Sequence, residues 1–116
     1  MTLFQINDGN IVGIYTPLSW DTTSKWKDDW KTFIFNLNKN QKYNKKKSKY
    51  SIYCNSLFGP FTVDFGCNGV KQMKSITHKS NTINNYYDKG SEILPSNKEE
   101  KVYDLLEAEV YKIIFE

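Results

Sequence analysis

Arginine is absent from this 116-residue chain, and every basic side chain other than the lone histidine is a lysine. The planar fork that grips a phosphate or a guanine edge at two points is therefore missing, which argues against sequence-specific recognition of nucleic acid. Histidine occurs once, at His78, so neither a histidine-based triad nor a histidine metal cluster can be assembled. The only cysteines are Cys54 and Cys67. One such pair is neither a disulfide framework nor a metal knuckle, and a reducing, cytoplasmic setting is the simplest home for it. The six glycines are scattered, and none belongs to a phosphate-cradling loop. No stretch approaches the roughly 18 apolar residues of a membrane helix, so membrane insertion is not expected.

What is present points to one folded domain over residues 1–116. Hydrophobic residues make up 39% of the chain and charged residues 25%, well clear of the composition that leaves a chain disordered. Aromatics reach 16%, with tryptophans at Trp20, Trp26 and Trp30, and an aromatic core is expected from them. The net charge is only +3, yet it is unevenly spread: residues 31–63 carry seven lysines and no acid, whereas residues 88–116 carry eight acids against four lysines.

The hydrophobic pattern has mainly the period of strands, which predicts an antiparallel β architecture. Thr2 to Ile6 and Ile11 to Tyr15 flank Asn7-Asp8-Gly9-Asn10, residues that tolerate positive φ, and this is the clearest hairpin signal. Pro17 ends the second strand. Trp26 and Trp30 stand at i, i+4 spacing and suggest one turn of helix. Thr32 to Leu37 reads as a central strand buried on both sides, Asn38 to Lys49 as an exposed loop, and Tyr50 to Cys54 as the strand pairing back on the first in a long hairpin. Phe61, Val63 and Phe65 alternate in a further strand ending at Gly66. Val70 to Ile76 is extended or mixed, and Asn81 to Gly90 is loop-like. The C-terminus admits two readings: Ser96-Asn97-Lys98-Glu99 matches a capping box before a helix, while Glu109 to Phe115 has the β-branched and aromatic content of a strand.

Few residues carry chemistry. Glu107 and Glu109 stand two apart, which places both carboxylates on one face of a strand and would suit an acid–base pair, although a solvated or partner-binding border fits better because no activated nucleophile accompanies them. A peroxide-reactive thiolate needs a positive, partly exposed setting. Cys54 lies in an apolar-alternating strand, and Cys67, following Gly66 at a turn, is the thiol expected to be more exposed. Lys45, Lys46, Lys47 and Lys49 beside Tyr43 and Tyr50 read as a solvated hairpin tip, suited to an acidic protein surface or anionic headgroups better than to nucleic acid.

Taken together, Thr2-Leu3-Phe4, Gly13-Ile14-Tyr15-Thr16 with Trp20, Thr32 to Leu37, Gly59-Pro60, Phe65-Gly66 and Glu107-Ala108-Glu109-Val110-Tyr111-Lys112-Ile113 resemble the TLDc domain in order and spacing. The resemblance implies a mostly β, α+β fold: a two-sheet antiparallel sandwich with a few short helices, in which the C-terminus is a final strand. It covers nearly the whole chain, and the match begins at the family's Thr-Leu strand, so the chain is read as about the C-terminal two-thirds of such a domain. On that reading Thr2 to Ile6, or its neighbour, is an apolar sheet edge open to self-association. The family's second motif glycine is Ile14 here. Gly13, Tyr15 and Trp20 could mark a ligand site, but packing is the plainer role: a bend at Gly13 and a plug at Trp20.

The resemblance also implies a function. TLDc proteins are cytosolic, non-enzymatic interaction modules associated with oxidation resistance and with regulation of the vacuolar proton ATPase, so protein partners, possible self-association and no cofactor are expected. The alternative is a thiol-dependent, peroxide-consuming enzyme using Cys67 or Cys54.

Overall fold

The computed structural model describes residues 1–18, 25–46, 51–54, 61–62, 65–67, 75–79, 82–94 and 101–110. The fold is mostly β, as the residue pattern and the resemblance both implied. Ten strands are described: β1 (Thr2–Ile6), β2 (Ile11–Tyr15), β3 (Lys25–Lys27), β4 (Phe33–Asn36), β5 (Gln41–Asn44), β6 (Ile52–Cys54), β7 (Phe61–Thr62), β8 (Phe65–Gly66), β9 (Ser75–His78) and β10 (Lys101–Val110). Eight form one antiparallel sheet in the order β5-β4-β2-β1-β10-β9-β8-β7, and β3 with β6 form a second. Two short 3-10 turns, Ile83–Asn85 and Gly90–Glu92, supply the helical content of the described residues.

Local chemistry accounts for the hairpins. Between β1 and β2 the Asp8 carboxylate accepts from the Asn10 backbone N–H at 2.9 Å and from its side-chain amide at 3.0 Å. Gly9 takes φ 91°, a conformation open to glycine at no steric cost. Between β4 and β5 Asn40 takes the left-handed conformation at φ 53°, and its N–H donates to the Leu37 carbonyl at 3.1 Å.

Alternation then sorts the large sheet into two faces. Phe4, Ile6, Val12, Ile14, Ile34, Tyr43, Phe65, Ile76 and Tyr103 point to one side, where Ile83, Tyr87, Ile93 and Leu94 close over them as a single buried cluster. Residues 82–94 thus act as a strap across the inner face. It is held by the Asn36 side-chain amide donating to the Ile93 carbonyl at 2.8 Å and by Lys39 Nζ donating to the Glu92 carbonyl at 2.6 Å.

Several expectations are corrected. Thr2–Ile6 is not an edge: β1 pairs with β2 on one side and β10 on the other, and β2 is likewise paired on both sides. The stretch expected as a loop contains β5, which pairs with β4, so one of the two partners of Phe33–Asn36 follows it across a four-residue turn. Ile52–Cys54 joins β3 in the second sheet instead. That pairing also replaces the expected helical turn, since Trp26 lies in a strand opposite Tyr53. Phe61 to Gly66 forms two short strands pairing Thr62 with Phe65, not one strand. A strand covers Lys101–Val110 and so begins before Glu109, where it was expected to start; the proposed capping box and residues 111–116 lie outside the described residues. Neither described tryptophan fills the core: Trp26 is 36% and Trp30 79% exposed, and among the described residues isoleucines take most of the interior with Phe4, Phe65, Tyr43, Tyr87 and Tyr103.

A polar chain ties the second sheet to the first. Thr62 Oγ1 donates to the Ser51 carbonyl and lies 2.6 Å from the Tyr87 hydroxyl. Because Thr62 has one proton to give, Tyr87 is the donor in their pair. Ser51 Oγ contacts Asp28 Oδ1 at 3.1 Å, and Asp28 pairs with Lys45 Nζ at 3.1 Å. We expect Tyr87→Phe to cost about 1–2 kcal/mol, the usual loss when a buried hydrogen bond is removed. In urea denaturation the Tyr87→Phe/Thr62→Val double variant should lose less than the sum of the singles; strict additivity would show that the two hydroxyls are uncoupled.

Candidate functional site

The candidate surface is the second face of the large sheet, opposite the buried cluster. Across strands β5-β4-β2-β1-β10 the register sets out rows of residues sharing that face. One row reads Lys42, Phe35, Gly13, Leu3 and Glu109. The next includes Ile11, Gln5 and Glu107, and on the other side Phe33 stands opposite Tyr15. The middle of the face is apolar and aromatic, its β5 border carries Lys42 and its β10 border carries Glu107.

Packing keeps this face flat. A Cβ built on Gly13 would overlap the Thr2 carbonyl oxygen and the edge of the Phe35 ring, so the ring lies over the glycine and is itself buried. Phe33 packs edge-on against Phe35 at 6.1 Å and stacks on Tyr15 at 4.8 Å. The Lys42 ammonium sits 4.6 Å from the Phe33 ring centroid, a cation–π arrangement. Two shallow depressions flank the glycine. One, of about 250 Å³, is lined by Met1, Phe33, Phe35, Leu37 and Lys42; the other, of about 130 Å³, by Leu3, Gln5, Ile11 and Glu107.

The residues singled out from sequence fall in different places. Gly13 and Tyr15 lie on the open face, and Glu107 and Glu109 take its β10 register positions opposite Gln5 and Leu3. Thr16 is buried and accepts from the Thr32 hydroxyl at 3.0 Å, a structural role. Phe65 is in the core, edge-on to Phe4 at 6.1 Å, and Gly66 takes φ 122°. Trp20, Gly59 and Pro60 lie outside the described residues, as do Lys47, Lys49 and Tyr50. Of the lysine cluster, Lys45 is not a solvated tip: its side chain is 3% exposed and paired with Asp28.

The thiols separate as well. Cys54 lies in β6 opposite Lys25. Cys67, expected to be the more exposed, is buried in the main cluster, and desolvation pushes its thiol up to about 12. Such a group is almost wholly protonated at neutral pH, the reverse of what a peroxide-reactive thiolate requires. His78 is fully buried, and neither ring nitrogen reaches hydrogen-bond geometry with any described group. Among the described residues no three His, Cys, Asp or Glu side chains converge to hold a metal, and no helix is long and apolar enough to cross a membrane.

Sequence reasoning missed Lys42, Leu3 and Ile11 as parts of a surface. The alternation of Phe33 and Phe35 was visible, but which of the two faces stays open depends on strand order. In comparisons with known proteins, the family described as the TLDc domain matches residues 1–114. No curated protein and no solved structure matches the chain significantly.

Proposed function

The chain belongs to the TLDc domain family, and from that premise we propose that it is a non-catalytic protein-docking module. The observation that carries this reading is the open sheet face, an apolar and aromatic floor with a lysine border and a glutamate border. Such a surface offers area and charge to a partner protein and no converging nucleophile and base to a substrate. The burial of Cys67 supports it further by weakening the thiol-enzyme alternative.

For the partner, the family resemblance supports the vacuolar proton ATPase, engaged in the cytoplasm, with resistance to oxidative stress following from that regulation. A tagged chain should recover ATPase subunits from lysate, identified by mass spectrometry, and a Phe33→Asp variant should recover few. Recovery of nucleic acid in their place would overturn the reading. The purified protein with a thiol reductant should leave peroxide decay at the rate of buffer; acceleration that disappears in Cys67→Ser would move the function to the enzyme class.

A further inference from the structure

We propose that the strap at residues 82–94 is released by acid: when the His78 imidazole takes up a proton, the strap lifts from the sheet and uncovers the inner face while β1, β2 and β4 stay paired. His78 ends β9, two residues beyond the buried Ile76 on the same face, and its register partner on β8 is Phe65. The ring is fully buried and stands edge-on to Phe65 at 6.4 Å, with no hydrogen-bond partner for either nitrogen. The strap meets it through the Gly90 backbone, close enough to favour a proton on the ring but outside hydrogen-bond geometry. A neutral imidazole tolerates such a site, whereas an imidazolium brings a charge and two donors into an apolar enclosure.

Few groups can answer that charge. On β8 the Cys67 thiol is held protonated by burial. On β10 Lys101 is the register partner of His78, and Tyr103 is a buried phenol that desolvation keeps neutral. The strap brings the buried Tyr87 phenol, with Asp88, Lys89 and Glu92 at exposed positions around Gly90, and Lys79 follows His78 in the chain. Among the described residues no carboxylate stands within ion-pair distance of the ring. Burial outweighs the Gly90 backbone and holds the enclosed ring down at about 4, so the proton is accommodated by opening the enclosure to water.

The strap can move as one piece. Inside it the Gly90 N–H donates to the Tyr87 carbonyl at 3.1 Å and the Ser91 N–H to the Asn84 side chain at 3.0 Å, and Gly90 packs so closely on Tyr87 and Ile83 that a Cβ there would stand 3.0 Å and 3.1 Å from them. Its ties to the rest are a few separate bonds: Asp88 N–H to the Asn44 carbonyl at 2.9 Å, Lys46 N–H to the Tyr86 carbonyl at 2.8 Å, Ile83 N–H to the Lys79 carbonyl at 3.0 Å, and those from Asn36, Lys39 and Tyr87 described above. The open form binds the extra proton, so falling pH favours release. A ring that titrates near 6.5 in water and near 4 in the enclosure raises the open-to-closed ratio about 20-fold between pH 7 and pH 5.

Native-state hydrogen exchange of the full chain, read residue by residue by NMR and corrected for the intrinsic pH dependence of amide exchange, would test it. The Asp88 and Lys46 N–H groups join the strap to β5 and report release, while amides of the β1–β2 ladder report global unfolding. At pH 7 the strap reporters should exchange at least about 10-fold faster than the ladder and with a shallower dependence on added urea, the mark of a partial opening. Their opening should rise about 20-fold between pH 7 and pH 5 in wild type and stay within about 2-fold in His78→Leu. Lys39→Met removes an exposed tether to the Glu92 carbonyl, and should raise opening about 5-fold at both pH values with the pH dependence intact. Strap reporters no faster than the ladder would show that the strap opens only with the whole domain. Opening that stays constant from pH 7 to pH 5 in wild type, or a His78→Leu variant that keeps the rise, would show that the ring does not control it; each of these results overturns the proposal.

Discussion

Gly13→Ala should lower stability by about 3 kcal/mol, the upper end of what overpacking costs. The sign is not trivial, because glycine within a strand is ordinarily the poorer residue and alanine ordinarily gains about 0.5–1 kcal/mol by restricting the unfolded chain. Here the added methyl has nowhere to go. It meets the Phe35 ring, which can rotate aside only by leaving Phe33, and the Thr2 carbonyl oxygen, which can retreat only by loosening the β1–β2 ladder. Urea denaturation with matched slopes would measure the difference. An alanine variant as stable as wild type would mean that β1 and β2 are farther apart than the structure has them.

The second large effect is acid lability through His78. The imidazole sits among apolar side chains, edge-on to Phe65 at 6.4 Å, and burial depresses its pKa to about 4. The nearby Gly90 backbone pulls weakly the other way. In the unfolded chain the group titrates near its ordinary 6.5, so between these values the unfolded state binds the extra proton and folding loses ground as pH falls. The contribution is intact above about 6.5 and declines toward pH 4, a window worth about 3 kcal/mol. Carboxylates begin to titrate at the lower end, so the comparison is with His78→Leu, which fills the site without a proton to accept. Thermal or urea unfolding at pH 7 and pH 4.5 should show wild type losing about 2–3 kcal/mol more than the leucine variant. Equal losses would show that the ring is solvated or already paired.

How much of this was legible depended on how local the cause was. The β1–β2 hairpin could be read because Asp8, Gly9 and Asn10 make their turn among themselves. β5 could not: Gln41, Lys42 and Asn44 are polar and exposed, and only Tyr43 faces inward. Such a strand is held by its ladder to β4, not by its own hydrophobicity, and the one local hint was Asn40, a residue that tolerates the left-handed turn. Trp26 and Trp30 misled for a related reason. Their i, i+4 spacing satisfies a helix, but pairing with Tyr53 on β6 outweighs it. The motif residues Gly13 and Glu107 were visible as separate signals, and only strand order showed them to be the floor and border of one surface. Cys67 looked exposed beside a glycine turn because it is buried in a cluster most of whose members are distant in sequence.

The place of β1 in the middle of the sheet has a consequence for the order of assembly during synthesis. Thr2 to Ile6 is synthesised well before Lys101–Val110, the strand that completes one of its two ladders. Until then the β1–β2 hairpin has half its backbone groups waiting and its inner side chains uncovered, since the strap at residues 82–94 is also late. High contact order of this kind slows folding. It also makes the nascent hairpin a natural client for a holding chaperone, whose binding would suit Phe4, Ile6, Val12 and Ile14 until the closing strand arrives.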